Sequence, residues 1–72
     1  MSEAGTIRVR LNGKEREIAD GHTIDSLLSD LGLKPGAVVV ELNRAILERE
    51  GYGEVGVADG DMIELVHFVG GG

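Results

Sequence analysis

The 72 residues of this chain are enough for one domain, and they include 13 acidic side chains, 7 basic side chains and no cysteine. A net charge of −6 argues against a nucleic-acid binder, which needs a basic surface, and the lack of cysteine excludes disulfides and thiolate metal sites. A domain this small also has little room for the cleft of about 300 Å³ that an enzyme typically uses, so we expect a protein that is not itself an enzyme.

The sequence contains no signal for a membrane or for export. No stretch has the roughly 18 consecutive apolar residues of a membrane-spanning helix, and the N-terminal sequence MSEAGTIRVR lacks the apolar core of a signal peptide. We therefore expect a cytoplasmic location. The acidic surface suits a protein that docks onto basic protein partners, although charge for solubility alone would look the same.

The first predicted element is a β-hairpin, which follows a loose N-terminal segment at 1–6. Alternating apolar side chains at 7–11 indicate a half-buried strand, and the dipeptide Asn12-Gly13 is typical of a two-residue turn. The strand that returns from this turn has the sequence KEREI. Its register pairs opposite charges on the solvent face, namely Arg10 with Glu15 and Arg8 with Glu17.

The second predicted element is a short helix. Thr23 can cap its N-terminus, and Asp25 lies in the first turn, where the helix dipole favours a negative charge. Gly32 fits the left-handed position that ends many helices, and Pro35-Gly36 then turns the chain. Four apolar side chains recur at the spacing of one helix face: Ile24, Leu27, Leu28 and Leu31.

Further strands are predicted in the second half of the chain. Residues 37–43 read as a buried strand, and a turn at Asn43-Arg44 leads into a short strand at 45–47. The glycine-rich segment 48–58 reads as a loop from which Tyr52 and Val55 fill the core. A turn at 59–61 then begins a last strand over 62–69, with Ile63 and Leu65 on its inner side.

This order of elements predicts an α+β domain in which one helix packs on one face of a mixed sheet of four or five strands. The first and last strands should be adjacent and parallel, because both are apolar on the face that meets the helix. The opposite face of the sheet is left exposed.

The exposed face carries an apolar cluster in this prediction. Val39, Val66 and Phe68 point away from the helix, and Glu41 and Glu64 lie at their rim. We expect this cluster to bind a partner protein with a basic surface, because exposed apolar patches with an aromatic anchor are typical of binding sites. The alternative is that Phe68 folds over the sheet edge and fills a small core.

Few side chains offer chemistry. Neither His22 nor His67 has an acidic cluster at metal-ligand spacing, so we expect no metal site, and His67 reads as a partly buried strand end. Ser26 and Ser29 lie on the solvent side of the helix with no base predicted near them. The histidines and serines therefore do not indicate an active site.

The remaining reactive group is the α-carboxylate of Gly72. A carboxylate reacts only after activation, which requires the active site of another enzyme. Glycine has no Cβ to clash in a narrow channel, so the tail Gly70-Gly71-Gly72 can enter such a site. We expect residues 70–72 to be flexible, because glycine loses the most conformational entropy when it is ordered.

The sequence resembles the ThiS family, the sulfur carrier proteins of thiamine biosynthesis. The similarity runs from about residue 7 to residue 72, through VRLNGKEREI, TIDSLLSDLGL, VVVELNRAI and DGDMIELVHFVGGG. The resemblance implies the ubiquitin-like β-grasp fold and a C-terminal diglycine at Gly71-Gly72. Many members have glycine where this chain has Arg44, so we expect the turn at 43–44 to use another geometry.

The resemblance also implies a function. A partner adenylyltransferase, similar to ubiquitin-activating enzymes, would use ATP and Mg²⁺ to adenylate Gly72. Sulfur derived from a cysteine desulfurase would then give a thiocarboxylate, and thiazole synthase would accept that sulfur. The carrier itself would bind no cofactor and would be a monomer when free. Independently of the resemblance, a carrier without cysteine can hold sulfur only at its terminus.

Four alternatives share parts of this pattern. The small subunit of molybdopterin synthase has the same fold, diglycine and thiocarboxylate, but it typically has a proline-containing segment where this chain has HFV. A sulfur carrier of another pathway, such as tRNA thiolation or cysteine synthesis, would have the same chemistry. A ubiquitin-like modifier would instead be joined to lysines of other proteins. The last alternative is an interaction domain with an inert tail.

Overall fold

A computed structural model describes residues 5–67 of the chain. Its elements are the strands β1 (Thr6–Leu11), β2 (Lys14–Ala19), β3 (Val38–Leu42), β4 (Ala45–Ile46) and β5 (Met62–His67), the helix α1 (Ile24–Asp30), and two 3₁₀ turns at Pro35–Ala37 and Arg49–Gly51. The five strands form one mixed sheet in the order β2-β1-β5-β3-β4. β1 and β5 are parallel neighbours, and the other pairs are antiparallel. The predicted α+β arrangement is confirmed.

The β1–β2 hairpin has the predicted register, with Arg10 opposite Glu15 and Arg8 opposite Glu17. Asn12 and Gly13 adopt φ angles of 52° and 84°, as a two-residue turn between twisted strands requires. The closest ion pair is diagonal, because Arg8 Nη1 lies 3.7 Å from Glu15 Oε1. Both side chains of this pair are more than half exposed, so it contributes little stability.

Helix α1 begins and ends as its sequence predicts. Ser26 N–H donates to Thr23 Oγ1 at 3.1 Å, and Thr23 N–H donates to Ser26 Oγ at 3.0 Å, which forms a reciprocal capping box. Gly32 has a φ of 76°, and Leu33 N–H donates back to the carbonyl oxygen of Leu28 at 2.9 Å. Among residues 5–67 no helix is long and apolar enough to cross a membrane.

The core lies between α1 and the inner face of the sheet. Its most deeply buried side chains are Ile24, Leu28, Ile63, Val9 and Val40. Tyr52 fills the core as predicted, and its hydroxyl donates to the Val38 carbonyl at 3.2 Å and accepts from Val40 N–H at 3.3 Å. Val55 packs against the core from the same loop. Val57 is also buried, a residue that sequence reasoning missed because segment 48–58 has no regular period.

The turn between β3 and β4 corrects one prediction. Asn43 and Arg44 adopt φ angles of 50° and 74°, so both are left-handed, as Asn12 and Gly13 are. The prediction that Arg44 imposes another geometry is therefore wrong. A side chain in the left-handed region costs about 1–2 kcal/mol. Hydrogen bonds hold the turn in place, because Asn43 N–H donates to the Met62 carbonyl at 2.7 Å and Asn43 Oδ1 accepts from Met62 N–H at 2.8 Å.

The central strand β5 is held by both turns. Asn12 Oδ1 accepts from Leu65 N–H at 2.7 Å on the β1 side, and Asn43 binds Met62 on the β3 side. Each asparagine thus combines a left-handed turn with a side-chain bond to β5. The strand that precedes residues 68–72 is consequently fixed along both of its edges.

Candidate functional site

The predicted site residues fall into two groups. Phe68, Gly70, Gly71 and Gly72 lie outside the described residues 5–67. The other four lie on β3 and β5, on the sheet face opposite α1: Val39, Glu41, Glu64 and Val66. The fold brings these four side chains together on the sheet face opposite α1, which we call the outer face.

Two direct cross-strand pairs form the centre of the outer face. Val39 lies opposite Val66, and Glu41 lies opposite Glu64. Val66 is 57% exposed and Glu64 is exposed, whereas Val39 and Glu41 are half-buried. Like charges directly opposite each other destabilise a sheet. The outer face therefore carries an apolar pair, of which Val66 is exposed, next to a repulsive acidic pair.

Ile46 belongs to the same surface, although sequence reasoning did not single it out. It is 70% exposed and lies opposite Glu41 in the β3–β4 pair, so it shares the outer face with Val39. The sequence contained a usable signal for this position. A two-residue turn at 43–44 fixes the register of β4 and makes Ile46 the partner of Glu41.

We define the docking face as Val39, Glu41, Ile46, Glu64 and Val66. A shallow concavity in this face is lined by Glu41, Arg44, Met62 and Glu64. The Arg44 side chain forms no ion pair or hydrogen bond within residues 5–67. The docking face and Arg44 at its rim thus combine exposed apolar area with charges of both signs, an arrangement that suits binding.

Helix α1 and the residue two positions before it, His22, hold a second group of polar side chains, which corrects another prediction. His22 Nδ1 lies 2.7 Å from Ser26 Oγ, so the prediction that no base lies near the helix serines is wrong for Ser26. His22 Nε2 lies 3.5 Å from Asp30 Oδ2. The order of serine, histidine and aspartate is that of a hydrolase triad.

The surroundings of this group do not fit a hydrolase. Ser26 Oγ also accepts from Thr23 N–H, so its hydroxyl is part of the helix cap. The first main-chain N–H groups of α1 are used as well, since Ile24 donates to Val55 and Asp25 donates to Tyr52. Ser26 N–H and Leu27 N–H donate to Thr23, so none of the four N–H groups from residue 24 to residue 27 is left to stabilise an oxyanion. We interpret Ser26 as part of the helix cap, to which His22 adds a further contact.

Metal ligands are not assembled in the described part of the chain. Within residues 5–67 no group of three or more histidine, aspartate or glutamate side chains could hold a metal ion. His67 lies at the end of β5 opposite Val38 and is exposed, whereas the sequence predicted a partly buried position.

Comparison with known proteins decides the family. The model of the ThiS family matches residues 9–72. The chain belongs to the ThiS family. The sulfur carrier protein ThiS of Bacillus subtilis strain 168 is 46% identical over 65 residues, which cover 89% of this chain and 98% of that protein. The crystal structure of the thiamine biosynthesis protein ThiS of Geobacter metallireducens has a TM-score of 0.76 and 38% identity, covering 92% of this chain and all of that one.

A ThiS-like region also occurs in longer proteins. The thiazole synthase of Magnetococcus marinus is 42% identical to this chain over 66 residues. The chain spans only 20% of the length of the thiazole synthases that it matches. The resemblance to the ThiS sulfur carriers and the β-grasp fold that it implied are thus confirmed.

Proposed function

We propose that this ThiS-family carrier holds sulfur as a thiocarboxylate on Gly72 and donates it to thiazole synthase for thiazole formation in thiamine biosynthesis. The observation that carries the proposal is the family match, which extends through the glycines to residue 72. The thiazole synthase partner is supported by the ThiS-like region in thiazole synthases. Gly70 and Gly71 serve as a narrow tether, since they have no Cβ.

The carboxylate must first be activated by an adenylyltransferase. A carboxylate oxygen of Gly72 attacks the α-phosphorus of ATP, and pyrophosphate leaves with its charge neutralised by Mg²⁺. Bisulfide, standing for sulfur delivered from a cysteine desulfurase, then attacks the acyl carbon, and AMP leaves. With bisulfide as the donor this exchange consumes no oxidant or reductant. Sulfur carried as a persulfide instead forms an acyl disulfide first, and a thiol must reduce that disulfide, becoming a disulfide itself, before the thiocarboxylate is released. The carrier needs no catalytic residue or cofactor of its own, acts as a monomer, and works in the cytoplasm, where ATP is available.

The docking face is the part of the carrier that we expect the adenylyltransferase to contact. Val39, Ile46 and Val66 supply apolar area, and Phe68 continues the alternation of outward positions on β5 in the sequence. A basic side chain of the enzyme between Glu41 and Glu64 would relieve the repulsion of this pair. The partner is therefore expected to present an apolar pocket with a basic rim.

The acyl site can be tested by mass spectrometry. The chain is incubated with ATP, Mg²⁺, bisulfide and an adenylyltransferase, and its mass should rise by the difference between one sulfur and one oxygen atom. Adding one residue after Gly72 should abolish this rise and leave the melting temperature unchanged. An extended chain that is thiolated as well as the parent would show that Gly72 is not the acyl site. Attachment to a lysine of another protein would instead indicate a modifier.

The docking face can be tested with Val66→Ser, and the predicted contribution of Phe68, which follows it in the sequence, with Phe68→Ala. Both variants should be thiolated slowly, because the apolar area that binds the partner is reduced, while the melting temperature stays nearly unchanged. Ser29→Ala, an exposed position on the helix side, serves as the matched control and should behave as the parent. A large loss of stability with normal thiolation would assign the substituted residue to the core instead.

A further inference from the structure

Arg44 occupies a backbone position that glycine would adopt without strain. Its φ of 74° lies in the left-handed region, directly after Asn43 at 50°. The equivalent turn of the β1–β2 hairpin has glycine at this place, Gly13, with a φ of 84°. The chain therefore retains an arginine where its backbone favours glycine, and strain of this kind is often associated with function.

The Arg44 side chain makes no polar contact within residues 5–67. The residue is exposed and takes part in no hydrogen bond or ion pair in that part of the chain. Asn43 differs, because its side chain binds both Met62 and Asp61. The turn is thus held by Asn43, and Arg44 adds a charge that has no hydrogen bond or ion pair within residues 5–67.

The positive charge of Arg44 lies beside the acidic pair of the docking face. Arg44 lines the same concavity as Glu41 and Glu64, and it precedes Ile46 by two residues. It therefore places a guanidinium at the rim of the docking face, beside an acidic pair and exposed apolar area. A partner that matched only the acidic pair would bring its basic group close to Arg44 and be repelled. A complementary surface needs a carboxylate opposite Arg44 as well.

We infer that Arg44 is a recognition residue whose guanidinium pairs with a carboxylate of the adenylyltransferase while Glu41 and Glu64 receive a basic group. The inference rests on the proposed function and deepens it. The adenylyltransferase is the expected partner because it commits ATP to the carboxyl group and must select the correct carrier before it does so. Arginine suits this task because its planar fork binds a carboxylate through two parallel hydrogen bonds.

The first experiment measures the melting temperatures of Arg44→Gly and Arg44→Ala. Arg44→Gly should raise the melting temperature by about 4 °C, because glycine removes the left-handed strain. Arg44→Ala retains the strain and should leave the melting temperature close to that of the parent. This measurement needs no partner. A lower melting temperature for Arg44→Gly would show that the arginine supports the fold, and the inference would be wrong.

The second experiment measures ATP–pyrophosphate exchange with an adenylyltransferase that charges the parent chain. Both variants should raise the KM for the carrier about 10-fold without changing kcat, since a charge-assisted pair is lost and Gly72 is untouched. Arg44→Lys should have a smaller effect, because it keeps the charge but loses the fork. Lys34→Ala is the control, because it removes one positive charge at an exposed position beside helix α1 and outside the docking face. This variant should behave as the parent.

The outcomes separate this inference from the function on which it rests. If no adenylyltransferase adenylates the parent chain, both the recognition role of Arg44 and the proposed function are wrong. If the parent chain is adenylated but the KM values of Arg44→Gly and Arg44→Ala equal that of the parent, only the recognition role of Arg44 is wrong. If the two variants are adenylated normally but transfer sulfur to thiazole synthase slowly, the adenylyltransferase is not the partner of Arg44.

Discussion

The two faces of the sheet differ in how deeply their side chains are buried and in whether they bring like charges together. On the helix side, Val9, Val40 and Ile63 are at most 2% exposed. On the outer side, Val66 is 57% and Ile46 is 70% exposed, and two glutamates oppose each other at 41 and 64. The inner face thus provides the stability of the domain, and the outer face is the kind of surface that a partner completes.

This contrast can be tested within a single strand, since successive side chains of β5 point to opposite faces. Ile63 faces the helix, whereas Glu64 and Val66 are exposed on the outer face. Substitutions a few residues apart should therefore separate stability from binding. The following predictions run from the largest expected effect on the free energy of unfolding to the smallest.

Ile63→Ala should lower the free energy of unfolding by about 2–5 kcal/mol, because it leaves a cavity in a core where Ile63 is fully buried. Val66→Ala should change it by less than about 0.5 kcal/mol, since Val66 is largely exposed. Urea titrations followed by circular dichroism measure both values. Equal losses for the two variants would remove the distinction between the faces.

Tyr52→Phe should cost about 1–2 kcal/mol, because it leaves the Val40 N–H and the Val38 carbonyl without the hydroxyl as partner. The variant preserves the aromatic ring, so the loss reports the hydrogen bonds rather than the packing. Amide hydrogen exchange at Val40 should become faster. Unchanged protection of this amide would show that the hydroxyl does not stabilise β3.

Thr23→Ala should cost about 1 kcal/mol, since it removes the side-chain acceptor of the helix cap. Thr23→Ser keeps the hydroxyl and is the matched control, with nearly the stability of the parent. Thermal unfolding of the three proteins gives the comparison. If serine proves as destabilising as alanine, the methyl group of Thr23 matters more than its hydrogen bond.

Glu64→Gln should stabilise the free domain by up to about 0.5 kcal/mol, because it removes the repulsion with Glu41. The gain should disappear in about 1 M salt, where the screening length is only about 3 Å. The same variant should bind the partner more weakly. A salt-independent gain would point to better packing of the amide instead.

The hairpin shows what the sequence could predict. Asn12-Gly13 fixes the length of the turn, and a slip of one residue would move every apolar side chain of the strand to the wrong face. The register of β1 and β2 was therefore determined by local pattern alone, and the same holds for the caps at Thr23 and Gly32.

Other features depend on contacts that no local pattern encodes. The left-handed backbone at Arg44 is held by two hydrogen bonds between Asn43 and Met62, which lies 19 residues further along the chain. The contact of His22 with Ser26 depends on how the chain enters the helix, which hydrophobic periodicity does not describe. Predictions for Phe68 and for 70–72 concern residues outside the described range and stay predictions.

The central position of β5 has a mechanical consequence. A pull on its carboxyl end, applied along the strand, loads the hydrogen bonds to β1 and β3 at the same time, in shear, rather than opening them one by one. The side chains of Asn12 and Asn43 add one further bond on each edge. Under the proposed function, an enzyme that drew in the segment after His67 would therefore exert its tension on both neighbouring strands of β5 at once.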